Sequence, residues 1–322
     1  TLPPGFCEKK IIPLIEAVFK KRGLKKNRVN LAYSFERVMP GSDYLKSIKN
    51  MYRVYSANNI RAEAMCRKFL VKLINTKKFP LTKLQNIRSA EMTKVIENSY
   101  RASNIAFIDE WTKFSEQIDV DINTVIKSIK ARPTHNNIMK PGLGVGGYCL
   151  TKDNLLGIYS SKKILQTSKV NFPFSNLTTE INKKMPLHTF NIIKKLTKNK
   201  INGKKILVFG ASYKNDVGDT RYSPSETLYK YLKKYKCKID VYDPYIDYWS
   251  ELRIKVKNKI NNLKRYNLII FAVNHSNFKK INFEGTNENN IIIDTCSILS
   301  SKQLLKLKKN SSIIYQIGRG KY

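Results

Sequence analysis

The chain has 322 residues, more than one small core organises, and a formal charge of +36 from 60 Lys and Arg against 24 Asp and Glu. Its longest apolar runs, "KILVFGA" and "YNLIIFAV", fall far short of the roughly 18 to 20 residues a helix needs to cross a bilayer, which excludes membrane insertion by such a helix. Lysine is spread along the whole length with Asn and Ile, not gathered into one stripe with interleaved aromatics, and this argues against nucleic acid as a partner.

Taken in order, residues 1–80 alternate helix-like and strand-like pieces. In "EKKIIPLIEAVFKKRG" the residues Ile11, Ile12, Ile15, Val18 and Phe19 share one helical face, and Gly23 ends the pattern. "RVNLAYS" and "YRVYSA" read as buried strands, and "RAEAMCRKFLVKLIN" as an amphipathic helix. The pattern is the second half of an α/β unit.

Residues 88–118 hold no Gly or Pro over about eight helical turns, so one long helix is predicted there, with a second from "DINTVIKSIK" capped by Asp121 or Asn123. "DNLLGIYSSKKIL" and "NLTTEINKKMPLHTFNIIKKL" continue a helical middle, residues 81–196.

From residue 197 onward the pattern changes again. "KKILVFGASY", "KIDVYDPY", "YNLIIFAVNH" and "NIIIDTCSIL" are strands, with a helix at "SPSETLYKYLKKY" opening on a proline. That alternation predicts a parallel, doubly wound sheet that takes ligands at the carboxyl ends of its strands. The fold class is α/β throughout: a partial N-terminal Rossmann-like domain (1–80), a helical central domain, and a C-terminal Rossmann-like domain (197–322).

Five cysteines, an odd and scattered number with no C-x-x-C pair and no His spaced to complete a zinc site, predict free thiols, a cytoplasmic setting and no metal.

The stretch "MKPGLGVGGYCLTKDN", residues 139–154, contains a literal G-x-G-x-x-G. A dinucleotide fingerprint follows a buried strand and is trailed about 20 residues later by an acid. Here "THNNIMKP" precedes the glycines and "LQTSKVN" stands where the acid belongs, so the match fails in context. What remains is a run of backbone without side chains that leads to Cys149 and then Asp153. One reading is a tight turn around a buried structural cysteine. The other is a nucleophile, its thiolate favoured by Lys152 and placed one helical turn from the Asp153 carboxylate.

"PGLGVGGYCLTKD" resembles the catalytic-cysteine motif of the UDP-glucose/GDP-mannose dehydrogenase family, the nucleotide-sugar 6-dehydrogenases. "TLPPGFCEKKIIP", "LAYSFERVMPGSDYLKSIKN", "SAEMTKVIENSYRASNIAFIDEW", "GASYKNDVGDTRYSPS" and "VYDPY" resemble further family blocks in family order, so the likeness covers nearly the whole chain. "RPTHNNIMKPGLGVGGYCLTKD" is most similar to the branch that oxidises UDP-N-acetylhexosamines.

The resemblance implies oxidation of the C6 alcohol of a UDP-sugar to a carboxylate in two hydride transfers to NAD, through a thiohemiacetal and then a thioester on Cys149. It implies Lys94 and Asn98 as stabilisers of the reacting oxygen, Asp153 as the holder of a catalytic water, Glu36 as the acid of thioester hydrolysis, and Thr1 as a hydroxyl that positions the water. Gly144, Gly146, Gly147 and Lys214 would meet the substrate, Arg132 corresponds to an arginine lent by a neighbouring subunit, and Arg221 approaches the NAD. A homodimer packed along the long helix and a place in polysaccharide precursor synthesis come with the family. His135 and His275 read as structural, with no evident partner.

Two departures stand out. The family's strand-turn-helix with the genuine fingerprint does not precede "TLPPGF", which reads as an N-terminal truncation, and Cys296 stands where an arginine that reaches the sugar is common, with Arg319 as its alternative. The rival expectation is a non-catalytic relative that only binds a nucleotide sugar or acts as a scaffold. On the truncation reading the chain alone neither binds NAD with useful affinity nor turns over; isothermal calorimetry that registers tight NAD binding would refute that expectation.

Overall fold

The computed structural model describes residues 1–24, 29–41, 43–167, 170–260, 262–283, 286, 288, 290–310 and 313–321. Arg28 of "RVNLAYS", Ser42 of the second family block, and Ser168 and Lys169 of "LQTSKVN" lie outside them. Two compact units make up the chain, one of residues 1–101 and 152–176, the other of residues 102–151 and 177–322.

In the first unit a π-turn over Cys7–Ile11 runs into α1 (Ile12–Lys21), which places Pro13 in its first turn, where the missing N–H costs nothing. There follow β1 (Ala32–Ser34), α2 (Tyr44–Lys49), β2 (Arg53–Ala57), α3 (Ile60–Leu73) and β3 (Leu81–Lys83). The sheet order is β1-β2-β3, with β1 antiparallel to β2 (Ala32 opposite Ala57) and β2 parallel to β3 (Arg53 opposite Leu81). Its apolar cluster is small, Phe35, Val54 and Ala90 with Tyr33 and Leu84 packed on it. The predicted apolar face of α1 forms, yet none of its residues is buried, and Ile60, Met65 and Phe69 of α3 are exposed.

The long helix is α4 (Ile87–Gln117), and α5 (Ile122–Lys130) begins at Asp121, whose carboxylate accepts the Asn123 amide as the sequence anticipates. The one-turn α6 (Leu156–Tyr159) is followed by a π-turn over Ser160–Ile164, then α7 (Pro173–Leu196) with Pro186 inside it. Helix α4 is continuous, and the boundary of the two units falls within it, between residues 101 and 102.

The remainder of the second unit comprises β4 (Lys205–Phe209), α8 (Pro224–Lys234), β5 (Lys238–Tyr242), the short antiparallel pair β6 (Tyr248–Trp249) and β7 (Ile254–Lys255), then β8 (Leu268–Phe271), β9 (Ile291–Asp294), α9 (Ser301–Lys309), β10 (Ile313–Gln316) and β11 (Gly320–Lys321). The large sheet has the order β11-β10-β9-β8-β4-β5, parallel except for β11. The inner strands β4, β8 and β9 are apolar on successive residues because both faces are covered. Ile206 and Val208 pack with Leu228, Leu232 and Trp249, whereas Leu207 and Phe209 pack with Phe271, Phe278, Leu304 and Leu307.

From β4 the chain goes to β5 on one side and then returns to β8 on the other, so strand order reverses at β4. The crevice such a reversal opens lies past the carboxyl ends of β4 and β8. Gly210 ends β4 there with φ of +104°, and a Cβ on it would sit 2.5 Å from the Cβ of Val273. Only glycine fits both the dihedral and the space.

Candidate active site

In the first unit, four of the expected residues are drawn together by α4. Lys94 and Asn98, one turn apart on that helix, share a face. Lys94 is nearly buried, its Nζ donating to the Glu36 carbonyl (3.0 Å) and lying 5.4 Å from the Phe35 ring centre. Asn98 Nδ2 donates to Asp153 Oδ2 at 2.6 Å, and Lys152 Nζ donates to Asp153 Oδ1 at 3.0 Å, so a fully buried carboxylate is bonded on both oxygens.

Around Phe35 the charges are dense. Arg37 stacks 5.0 Å from the ring centre, and Arg53, itself buried, donates to the Phe35 carbonyl at 2.9 Å. Burial pulls the Arg53 guanidinium below its ordinary pKa, with the Glu36 carboxylate acting in the opposite direction. Glu36 is exposed, and its Oε2 accepts the Val38 amide at 3.4 Å. Its neighbour Arg37 pairs with Glu97 rather than with Glu36. Thr1 is exposed.

In the second unit the glycine loop lies on the exit of β4. A Cβ on Gly144 would be 2.8 Å from Pro224 and 3.3 Å from Pro186; on Gly146, 2.5 Å from Tyr213 Cβ and 2.8 Å from the Tyr222 carbonyl; on Gly147, 2.7 Å from the Tyr213 ring. Gly147 also has φ of +79°, and its amide donates to the Arg221 carbonyl at 3.0 Å. These glycines are required by the protein's own neighbours, a reason the sequence alone does not disclose. Cys149 follows on the exposed turn, and Tyr148 contacts Tyr222 with ring centres 5.9 Å apart.

The expected helical turn joining Cys149 to Asp153 does not form. Residues 148–152 are turns, and Asp153 opens a short 3-10 segment, Asp153–Leu155. Spacing of four therefore places no common face, and the Lys152 ammonium is engaged by Asp153. The second unit also contains Lys214, half-buried, Arg132, exposed at the start of the turn Pro133–His135, and Arg221, exposed and closed on Asp219 by bonds of 3.0 and 2.6 Å. Asp219 holds the Arg221 guanidinium charged above its ordinary range.

Cys149 is exposed, Cys66 and Cys296 are half-buried, and Cys7 and Cys237 are buried. Burial, reinforced by the Glu91 carboxylate, pushes Cys7 up to about 12, and burial raises Cys66, Cys237 and Cys296 as well. His275 does have partners, contrary to the sequence reading: Asp243 and the Asp216 amide. His188, which the sequence reading passed over, pairs with Glu116, and neither partnership has a local sequence signal.

Sequence comparison places these pieces. The central-domain model of the UDP-glucose/GDP-mannose dehydrogenase family matches residues 88–184, and its UDP binding domain model matches residues 207–301. The chain belongs to this family. It is 29% identical to the UDP-N-acetyl-D-mannosamine dehydrogenase of Methanocaldococcus jannaschii, covering 100% of this chain and 69% of that one. Against the UDP-N-acetyl-D-glucosamine 6-dehydrogenase of Salmonella typhi it is 26% identical over 94% of this chain and 71% of the other. The solved UDP-D-ManNAc dehydrogenase of Pyrococcus horikoshii superposes with a TM-score of 0.80 at 27% identity, covering 99% of this chain and 71% of that one. Coverage of the first several curated relatives is 65 to 71% of their length.

Membership in this family brings NAD into question. Among the described residues of the first unit no strand passes through a glycine turn into a helix: β1 runs into Phe35 and Glu36, and β2 enters α3 through Ser56-Ala57-Asn58-Asn59. The α3 N-terminus is closed by Asn59, whose side chain accepts the Ala62 amide at 2.8 Å. These residues do not form a dinucleotide pyrophosphate cradle.

Crowding around the glycine loop has a direct test. Gly147→Ala is expected to cost about 1 to 3 kcal/mol in chemical denaturation, because both φ and the Tyr213 ring oppose a methyl group. Gly142→Ala, with open space around it, is expected to fall within about 0.5 kcal/mol of the parent.

Proposed function

We propose that this chain handles the sugar in the oxidation of a UDP-N-acetylhexosamine at C6 to the uronic acid, a reaction that supplies polysaccharide precursors. The observation that carries this reading is the exposure of Cys149 on a loop whose backbone is fixed, while burial raises the other four thiols. The names of the relatives support the substrate class.

Cys149 holds C6 on sulfur, first as the thiohemiacetal of the aldehyde and then as the thioester that water hydrolyses. Lys94 has three N–H donors and Asn98 two, of which one each is used within the protein, so both retain donors for an oxyanion. Asp153, bonded on both oxygens and so fixed in place, holds the water, Glu36 takes its proton, and Thr1 helps orient it. Gly144, Gly146, Gly147 and Lys214 hold the diphosphate and sugar, with Arg132 from a neighbouring subunit, and Arg221 would approach the cofactor. The hydride acceptor in both oxidations would be NAD, held by a cradle other than the described residues of the first unit.

The second copy is assigned to α4. Phe107, Trp111 and Phe114, each 51% exposed, and Ile118 recur at spacings of four, three and four, the pattern of a helix-helix seam. With Val120 and Val125 they line an apolar hollow of about 340 Å³.

Two experiments bear on this reading. In quantitative labelling with iodoacetamide, Cys149 is expected to react at least about tenfold faster than any other thiol and to be protected by UDP-N-acetylglucosamine; a slow or unprotected Cys149 would favour a scaffold. In light scattering the chain is expected at twice its mass of 37.3 kDa, and Trp111→Glu at the monomer mass; a monomeric parent would remove the seam from the argument.

A further inference from the structure

Behind the loop that bears Tyr213 and Lys214 lies a buried polar group that the proposed chemistry does not use. Asp243 stands directly after β5, at its carboxyl end. Its Oδ2 accepts the amides of Ala211 (2.8 Å) and Ser212 (3.1 Å) and the Ser212 hydroxyl (2.8 Å), and lies 3.1 Å from His275 Nε2. Oδ1 accepts the Tyr245 amide at 2.9 Å.

On its other side His275 Nδ1 accepts the Asp216 amide at 2.8 Å. A nitrogen that accepts carries no proton, so the ring is the neutral tautomer whose Nε2–H donates to Asp243. Asp216 Oδ1 accepts the amide and hydroxyl of Ser276 at 2.8 and 3.0 Å and the Tyr245 hydroxyl at 3.2 Å.

A serine, a histidine and an aspartate in contact invite comparison with a hydrolytic triad. Two facts oppose it. Asp243 bonds both Ser212 and His275 instead of backing the imidazole alone, and all three residues are at most 2% exposed, so no substrate reaches the hydroxyl.

The group fixes backbone. Residues 211, 212 and 216 are pinned, which leaves Tyr213, Lys214 and Asn215 as a short bridge, itself closed by the Tyr213 amide donating to the Asp219 carbonyl at 3.0 Å. Gly146 and Gly147 rest on Tyr213 with no room for a Cβ, and Cys149 follows two residues later.

We propose that the buried Asp243–His275 pair is a positioning device for the nucleophile: by fixing the bridge from Ala211 to Asp216 it holds Tyr213 where the glycine loop must lie, and so sets the place of Cys149 and of Lys214. Its consequence for catalysis rests on the nucleophile reading given above; the device itself does not.

The test is amide hydrogen exchange on the full chain with His275→Phe, His275→Gln and, as a control of similar thermal destabilisation, Leu307→Ala on α9, in the cluster that does not include the glycine loop. In His275→Phe the amides of residues 142–151 are expected to exchange at least about tenfold faster and the iodoacetamide rate of Cys149 to change at least about threefold. Gln at 275 has an acceptor for the Asp216 amide and a donor for Asp243, and is expected to restore both to within about twofold of the parent. Leu307→Ala is expected to loosen α9 and leave residues 142–151 unchanged. Should His275→Phe fail to fold, Asp243→Asn reads the same amides with the same expected direction.

Unchanged exchange at 142–151 in the folded variant, or equal loosening there in Leu307→Ala, would overturn the proposal. Loss of UDP-N-acetylglucosamine protection in the unaltered chain, with the exchange pattern intact, would instead sink the nucleophile reading and leave the device standing.

Discussion

The contact on which the second unit turns is the absence of any gap between the glycine loop and Tyr213. Three glycines in four residues permit the main chain to approach a tyrosine and two prolines more closely than any side chain would allow. The chain that leads to Cys149 therefore inherits its position from the exit of β4. That exit in turn derives its shape from Asp243 and His275, at the carboxyl ends of a sheet buried on both faces. Burial of the sheet is the source of rigidity, and the polar pair conveys it outward.

The first unit is built on a different balance. Its apolar cluster is small, and polar groups do more of the ordering: the buried Glu91 carboxylate accepts the amides of Gly5 and Cys7 at 2.6 and 2.9 Å, and Arg53 ties the Phe35 carbonyl. Charged groups so placed are costly to leave unpaired, which explains why Lys94, Asn98 and Asp153 are found bonded and not pointing at solvent. A site of buried, mutually bonded polar residues is also preorganised, since its dipoles need not reorient when charge develops.

Much of this was legible in the residues. The strands β4, β8 and β9 announced themselves as apolar runs, because a parallel sheet covered on both faces leaves no alternation to blur them, whereas the edge strand β5 alternates as KIDVY. Helix α4 was legible for lack of any breaker, and α8 by Ser223-Pro224 at its start. The two-residue strands β6, β7 and β11 were not, since strands that short are defined by their partners and not by composition. The same distinction governs the site. Motifs in order nominate Cys149, Lys94, Asn98 and Asp153, of which the structure joins Asn98 to Asp153, whereas the partners of His275 lie 59 residues away at Asp216 and 32 away at Asp243, beyond any local pattern. Counting four positions from Cys149 to Asp153 misled, because turns and not a helix join them.

The unequal accessibility of the five sulfurs sorts them by their fate under oxidants. Cys7 and Cys237 are buried and burial holds both protonated, whereas the sulfur of the turn at 149 meets solvent. A peroxide arriving from solution therefore finds that turn before either of those two, and oxidation there leaves the packed interior closed.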